Sequence, residues 1–151
     1  TRGSLDEIRR IARRLRPGVL EELGLVSALT ALITETPTPD GLTIRRRMEK
    51  DLPELGAEAE LVVYRIAQEA LTNTVRHARA TRLELSLRRS ACGVELRIRD
   101  DGRGLGDAPE GAGLRGMRER ALLIGAELFL GPGPQGGTEV RLDVPVPNGS
   151  K

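Results

Sequence analysis

Over residues 57–78 the apolar positions Leu61, Val62, Ile66, Ala70, Leu71 and Val75 recur at helical spacing through about six turns. Directly behind them, residues 81–87 and 94–98 switch to apolar/polar alternation, the period of half-buried strands, with Gly93 expected in the turn between them. A long helix feeding a hairpin already excludes an all-helical or all-strand fold. Residues 25–34 and 113–123 add shorter helical patterns, the second ending at Gly125 as a C-cap, and 42–48, 127–130 and 138–144 add strands. Thr36-Pro37-Thr38-Pro39-Asp40-Gly41 marks a boundary or linker, and Gly131 to Gly137 reads as a turn that excludes regular structure. This order predicts an α+β fold, a two-layer sandwich with helices on one face of a mixed sheet.

The chain has 151 residues, 38% hydrophobic and 30% charged, enough for one domain with its own core. Twenty-four Lys+Arg against 22 Asp+Glu leave a net charge of +2, too small to argue for nucleic acid, and one Tyr, one Phe and no Trp leave almost nothing for bases to stack on. No apolar run approaches the roughly 20 residues of a membrane helix, so no membrane contact is expected of this segment. Cys92 stands alone, which excludes an internal disulfide, fits a reducing cytoplasm and reads as a small strand-end filler. Residues 4–16 read as a basic amphipathic helix with Leu5, Ile8, Ala12 and Leu15 on one seam, stopped by Pro17-Gly18; the chain begins almost inside it, as a segment of a longer protein does.

Gly111 to Gly116, GAGLRG, matches the spacing of a dinucleotide-binding loop. That fold needs an apolar strand immediately before the glycines, and Leu105 to Glu110 is polar and contains Pro109; the alternation of parallel strands and helices is also missing. Glycines opening into a helix N-terminus still suit a phosphate. Two other signals accompany them. On the long helix Glu69, Asn73, Arg76 and His77 fall in one sector at 100° per residue; a carboxylate and an amide there can complete a Mg²⁺ shell and an Arg can neutralise phosphates, or the same residues are an exposed polar face. Asp100 closes a strand ahead of Gly102 and Gly104 and either accepts from an exocyclic amine such as adenine N6 or starts an ordinary Asp-Gly turn.

Four boxes in order, QEALTNTVRHA, RDDGRGL, GAGLRGMRERA and GGTEVRLDVP, together resemble the catalytic ATP-binding domain of bacterial two-component sensor histidine kinases over about residues 55–146. That family has the Bergerat or GHKL-type fold shared with gyrase, the Hsp90 chaperones and the MutL mismatch-repair proteins. IRRIARRLRPGVLEELGLVSAL is similar to the end of the dimerisation and phosphoacceptor hairpin of the compact subgroup paired with helix-turn-helix response regulators. The resemblance divides the chain into a hairpin remnant and connector at 1–24, a catalytic domain at 25–146 and a tail at 147–151. It implies ATP and Mg²⁺ as ligands, with Asn73 on the metal, Glu69 supporting the metal or its water, and Arg76 and His77 facing the phosphates. Asp100 reads adenine N6, Gly102 and Gly104 shape the pocket, and Thr138 acts through a bound water. Gly111, Gly113 and Gly116 let a short lid close, with Leu114 and Met117 as anchors and Arg115 or Arg118 within reach of phosphate.

The implied reaction is transfer of the γ-phosphoryl of Mg-ATP to a histidine outside this chain; His77, the only histidine, lies at the ATP-facing box and is not that acceptor. The implied partners are the phosphoacceptor helix of the full-length kinase and a cognate response regulator. A homodimer is implied for the full-length protein, a monomer or weak dimer for this segment, and a cytoplasmic location for this segment as part of a membrane-anchored or cytosolic bacterial sensor. Two rivals are an anti-sigma-factor-type serine kinase of the same superfamily and an interaction module with a decayed nucleotide site.

Overall fold

The computed structural model describes residues 17–103, 112–134 and 136–146, the side chains of His77, Ala78 and Ala112 excepted. The helix expected over 4–16, Gly104, Gly111 and the tail lie outside the described residues. The elements are α1 (Gly18–Leu23), α2 (Leu25–Glu35), β1 (Thr43–Met48), α3 (Ala57–Asn73), a π-helical turn (Thr74–Ala78), β2 (Arg82–Arg89), β3 (Gly93–Asp100), α4 (Ala112–Leu123), β4 (Glu127–Pro132) and β5 (Thr138–Pro145). The strands form one sheet in the order β1-β2-β3-β5-β4, parallel between β1 and β2 and antiparallel elsewhere. This is the mixed sheet that the order of periodicities predicts.

Strand alternation puts Leu83, Leu85 and Leu87 of β2, Val94, Leu96 and Ile98 of β3, and Val140, Leu142 and Val144 of β5 on one face, all buried. The register stacks them directly, Leu87 beside Leu96, Leu96 beside Leu142 and Ile98 beside Val140. Against this face pack Val63, Ile66, Ala67, Ala70 and Leu71 of α3, Leu29 of α2, and Met117 and Ala121 of α4. Leu20 of α1 belongs to the same cluster, so α1 shares the core with the other helices. Each fully buried leucine contributes about 2 kcal/mol of apolar transfer.

The other face carries ions instead of a second layer. Glu95 accepts from Arg88 at 3.0 Å and pairs with Arg97 at 3.2 Å, and Glu139 accepts from Arg99 at 3.1 Å and Arg141 at 3.3 Å. Arg141 also lies 4.7 Å from the Phe129 ring centre, and that ring covers Gly131, where a Cβ would stand 2.8 Å from it.

Three local expectations are corrected. Gly93 is in β3, and the hairpin turns at 90–92, with the Ser90 amide bonded to the Gly93 carbonyl at 2.9 Å. The glycine is required there because a Cβ would overlap the Val144 carbonyl of β5. Gly131 and Pro132 continue β4, an edge strand where a missing N–H is tolerated. Cys92, at the tip of the β2–β3 turn, is exposed and not a packed filler. Gly125 does end α4: its φ is +67°, its amide bonds the Leu122 carbonyl and the Ala126 amide bonds that of Ala121, the Schellman pattern. Among the described residues no helix is long and apolar enough to cross a membrane.

Candidate functional site

The alternation that makes the core also makes the site. After Leu96 and Ile98, the next residue of β3 on the helix-covered face is Asp100, beside Leu83 of β2. A carboxylate occupies a place the pattern gives to an apolar side chain, and the surrounding structure holds it. Oδ1 accepts the Gly102 amide at 2.9 Å and the Thr138 amide at 3.3 Å, and Oδ2 accepts the Thr74 hydroxyl at 3.1 Å. Gly137, with φ of +73°, lets β5 start against this strand end, since a Cβ there would overlap the Asp100 carbonyl. The two ends of the hairpin sheet and the end of α3 therefore converge on one carboxylate. Thr138 reaches it directly through its backbone.

Glu69 and Asn73, one turn apart on α3, are both half-buried, and neither side chain makes a hydrogen bond or ion pair with the described residues. Glu69 faces the first turn of α4: a Cβ on Gly113 would stand 2.9 Å from the Glu69 Cδ. The long-helix box and the second glycine box thus share a corner, with the amide end of α4 turned toward it. Leu114 is half-buried against the core and Met117 is fully buried, which anchors the helix; Arg115 is exposed, and the open side of Gly116 is taken by Arg120.

The winding changes at Thr74, where α3 gives way to the π-helical turn. The spacing of 100° per residue therefore holds for Glu69 and Asn73, and from Thr74 on the winding is wider. Arg76 lies in the turn and is exposed; His77 is in the same turn. Gly104 and Gly111 lie outside the described residues.

Three residues were not singled out by sequence reasoning. Thr74 follows Asn73 and is buried, a polar residue on the core side of the helix. Gly137 reads in the sequence as turn material leading into the closing box. Asp101, whose alternation turns it to the opposite side from Asp100, accepts the Thr81 hydroxyl at 2.6 Å and the Arg82 and Thr81 amides at 2.9 and 2.8 Å. The hydroxyl above all, and the Arg82 amide next, hold its carboxyl down at about 2 against an ordinary 3.8. Asp101 ties the start of β2 to the end of β3, which keeps the strand end under Asp100 in place.

The sequence pattern of the family described as histidine kinase-, DNA gyrase B- and HSP90-like ATPases matches residues 58–148. The chain belongs to that family. As a member it is an ATP-binding domain of the sensor histidine kinase type, and its mixed five-stranded sheet with helices on one face is the fold of such domains. The oxygen sensor histidine kinase NreB of Staphylococcus carnosus is 32% identical over 146 residues, 94% of this chain and 42% of the relative. The chain thus spans less than half of that relative's length. The ATP-binding domain of PrrB from Mycobacterium tuberculosis superposes with a TM-score of 0.65 at 25% identity, covering 82% of this chain and 92% of that one. The blue-light activated histidine kinase of Erythrobacter litoralis EL346 gives a TM-score of 0.69 at 23% identity over 84% of this chain and 42% of that one, a likeness of fold. These matches do not favour the serine-kinase and decayed-module readings.

Proposed function

We propose that this chain is the catalytic part of a larger sensor histidine kinase, in which it binds Mg-ATP and delivers the γ-phosphoryl group to a histidine outside the chain for relay to a response regulator. The observation that carries this reading is the shared corner: a fixed acceptor carboxylate at Asp100, and one helix away Glu69 and Asn73 with unengaged polar ends beside the amide end of α4. Asp100 suits the amine of adenine, and the Glu69–Asn73 pair suits a Mg²⁺ ion that takes the rest of its oxygens from phosphates and water. Among the described residues no group of three His, Cys, Asp or Glu side chains stands ready to hold a metal alone, so the metal would arrive with the nucleotide. When bound, Mg²⁺ neutralises charge on the phosphates, and the chain's own share is positioning. Arg76, His77 and Arg115 or Arg118 serve the phosphates, and Gly102, Gly104, Gly111, Gly113 and Gly116 let backbone approach them.

In this reading residues 25–146 form the catalytic domain, residues 1–24 lead in from a phosphoacceptor hairpin, and residues 147–151 are a tail. The full-length protein is a homodimer, membrane-anchored or cytosolic, with this part in the cytoplasm, and this segment is a monomer or weak dimer. Calorimetric titration with a non-hydrolysable ATP analogue, with and without Mg²⁺ and with GTP as control, tests it. Adenine-selective binding strengthened by Mg²⁺ is expected, and Asn73→Ala should lose the Mg²⁺-dependent part while its circular dichroism stays unchanged. Equal binding of Asn73→Ala would sink the metal assignment.

A further inference from the structure

Resting on the ATP reading above, we propose that Thr74 is a positioning residue for adenine: its hydroxyl fixes the orientation of the Asp100 carboxylate and leaves one acceptor direction for an exocyclic amine. Other threonines in or at the end of the helices spend their hydroxyls locally. Thr30, Thr34, Thr36 and Thr72 each donate to the carbonyl four residues back, at 2.9, 3.0, 2.6 and 2.9 Å. Thr74 instead reaches 26 residues along the chain to Asp100 Oδ2, at 3.1 Å. It is 5% exposed, and of the three buried polar residues described, Glu95 and Glu139 belong to the ionic outer face while Thr74 alone serves the corner. The change from α to π winding begins at this residue, where the helix meets the site.

Counting lone pairs shows what the hydroxyl does. An ionised carboxylate accepts about four hydrogen bonds, two on each oxygen. Oδ1 of Asp100 already accepts two amides, from Gly102 and Thr138. Among the described residues Oδ2 accepts Thr74 alone, so a single direction remains, and it is an acceptor. An N–H of adenine N6 satisfies it; the carbonyl oxygen of a 6-oxopurine would bring lone pair against lone pair. Because the threonine proton is committed to Oδ2, the hydroxyl can offer a ligand only its own lone pairs. Without it Oδ2 is free in two directions, and water takes the place that fixes the carboxylate plane.

The test compares wild type with Thr74→Val, Thr74→Ala and Thr74→Ser, titrated with a non-hydrolysable ATP analogue and with the matching nucleotide of unsubstituted purine, which lacks the 6-amine. Circular dichroism is recorded for each, and the alanine variant keeps the test alive if valine disrupts the fold. Removing the hydroxyl should weaken the ATP analogue about tenfold, the cost of one hydrogen bond to a charged group, and change purine-nucleotide binding less than about twofold. Serine should restore binding to within about twofold of wild type. Equal losses on both nucleotides, or no rescue by serine in a folded protein, overturn the positioning role. If wild type itself does not prefer the 6-amino nucleotide, the adenine reading of Asp100 fails and the proposal with it; a wild-type preference that survives in both the valine and alanine variants defeats the proposal alone.

Discussion

Gly136 and Gly137 provide a matched pair in which backbone strain is nearly constant and steric overlap is not. Their φ angles are +86° and +73°, so alanine at either costs about 1–2 kcal/mol for a left-handed L-residue. A Cβ on Gly136 meets nothing within 4 Å, whereas on Gly137 it would overlap the Asp100 carbonyl and stand 2.8 Å from the Asp100 Oδ1. Those atoms belong to a sheet strand, not to a flexible side-chain end, so the strand end must shift, for about a further 1–3 kcal/mol. Urea unfolding of the two alanine variants, analysed with a common slope, should therefore place Gly137→Ala below Gly136→Ala by that difference. The loss should also appear in affinity, because Thr138, whose amide orients Asp100, is the next residue. We expect Gly137→Ala to bind an ATP analogue more than about tenfold more weakly and Gly136→Ala to stay within about threefold of wild type. Two variants of equal stability and equal affinity would refute the close approach of β5 to Asp100.

Asp101 binds fewer protons folded than unfolded between its two pKa values, so its contribution is complete above about pH 4 and is lost as the pH falls through about 2. The stability difference between wild type and Asp101→Asn should therefore shrink from pH 6 to pH 2 in acid-resolved urea melts, from a ceiling of about 1 kcal/mol set by its exposure. Glu139→Gln should lower stability by about 2–3 kcal/mol, since a carboxylate 6% exposed is removed from among Arg97, Arg99 and Arg141; a chemical melt unchanged from wild type would contradict that network. Gly113→Ala should leave stability unchanged or raise it by up to about 1 kcal/mol, because the atoms its methyl meets are the far end of the Glu69 side chain. A loss beyond about 1 kcal/mol in thermal unfolding would show that Glu69 cannot move aside.

Periodicity exposes what repeats. The three leucines of β2, the apolar row of β3 and the six-turn helix are all visible as patterns of two or 3.6, and with them the α+β layering and the ends of α2 and α4. Asp100 is legible for the same reason, as a carboxylate at an apolar beat of the pattern. What depends on a distant partner is not legible. Gly93 looks like a turn residue until Val144 is placed beside it, and Thr74 looks like any helical threonine until Asp100 is brought under its hydroxyl. The π turn leaves no mark in the apolar spacing, because Val75 fits either winding. That β1 runs parallel to β2 follows from the path of α3 between them, which residue types do not encode.

The sheet is dry on one side only. Among the described residues its outer face is ionic, so the buried apolar core forms one seam between strands and helices, and Asp100, Thr138 and Thr74 stand where that seam runs out. In the proposed function a nucleotide base entering there would prolong the core by one layer. Binding then reports on packing: a methyl removed at Ile98 or Leu83, next to Asp100 on the inner face, is felt as weaker affinity even where the phosphates are untouched. A change at Arg88, on the wet face, leaves affinity alone. In that reading the grip on the ligand and the grip of the fold on itself are one surface, read from two ends.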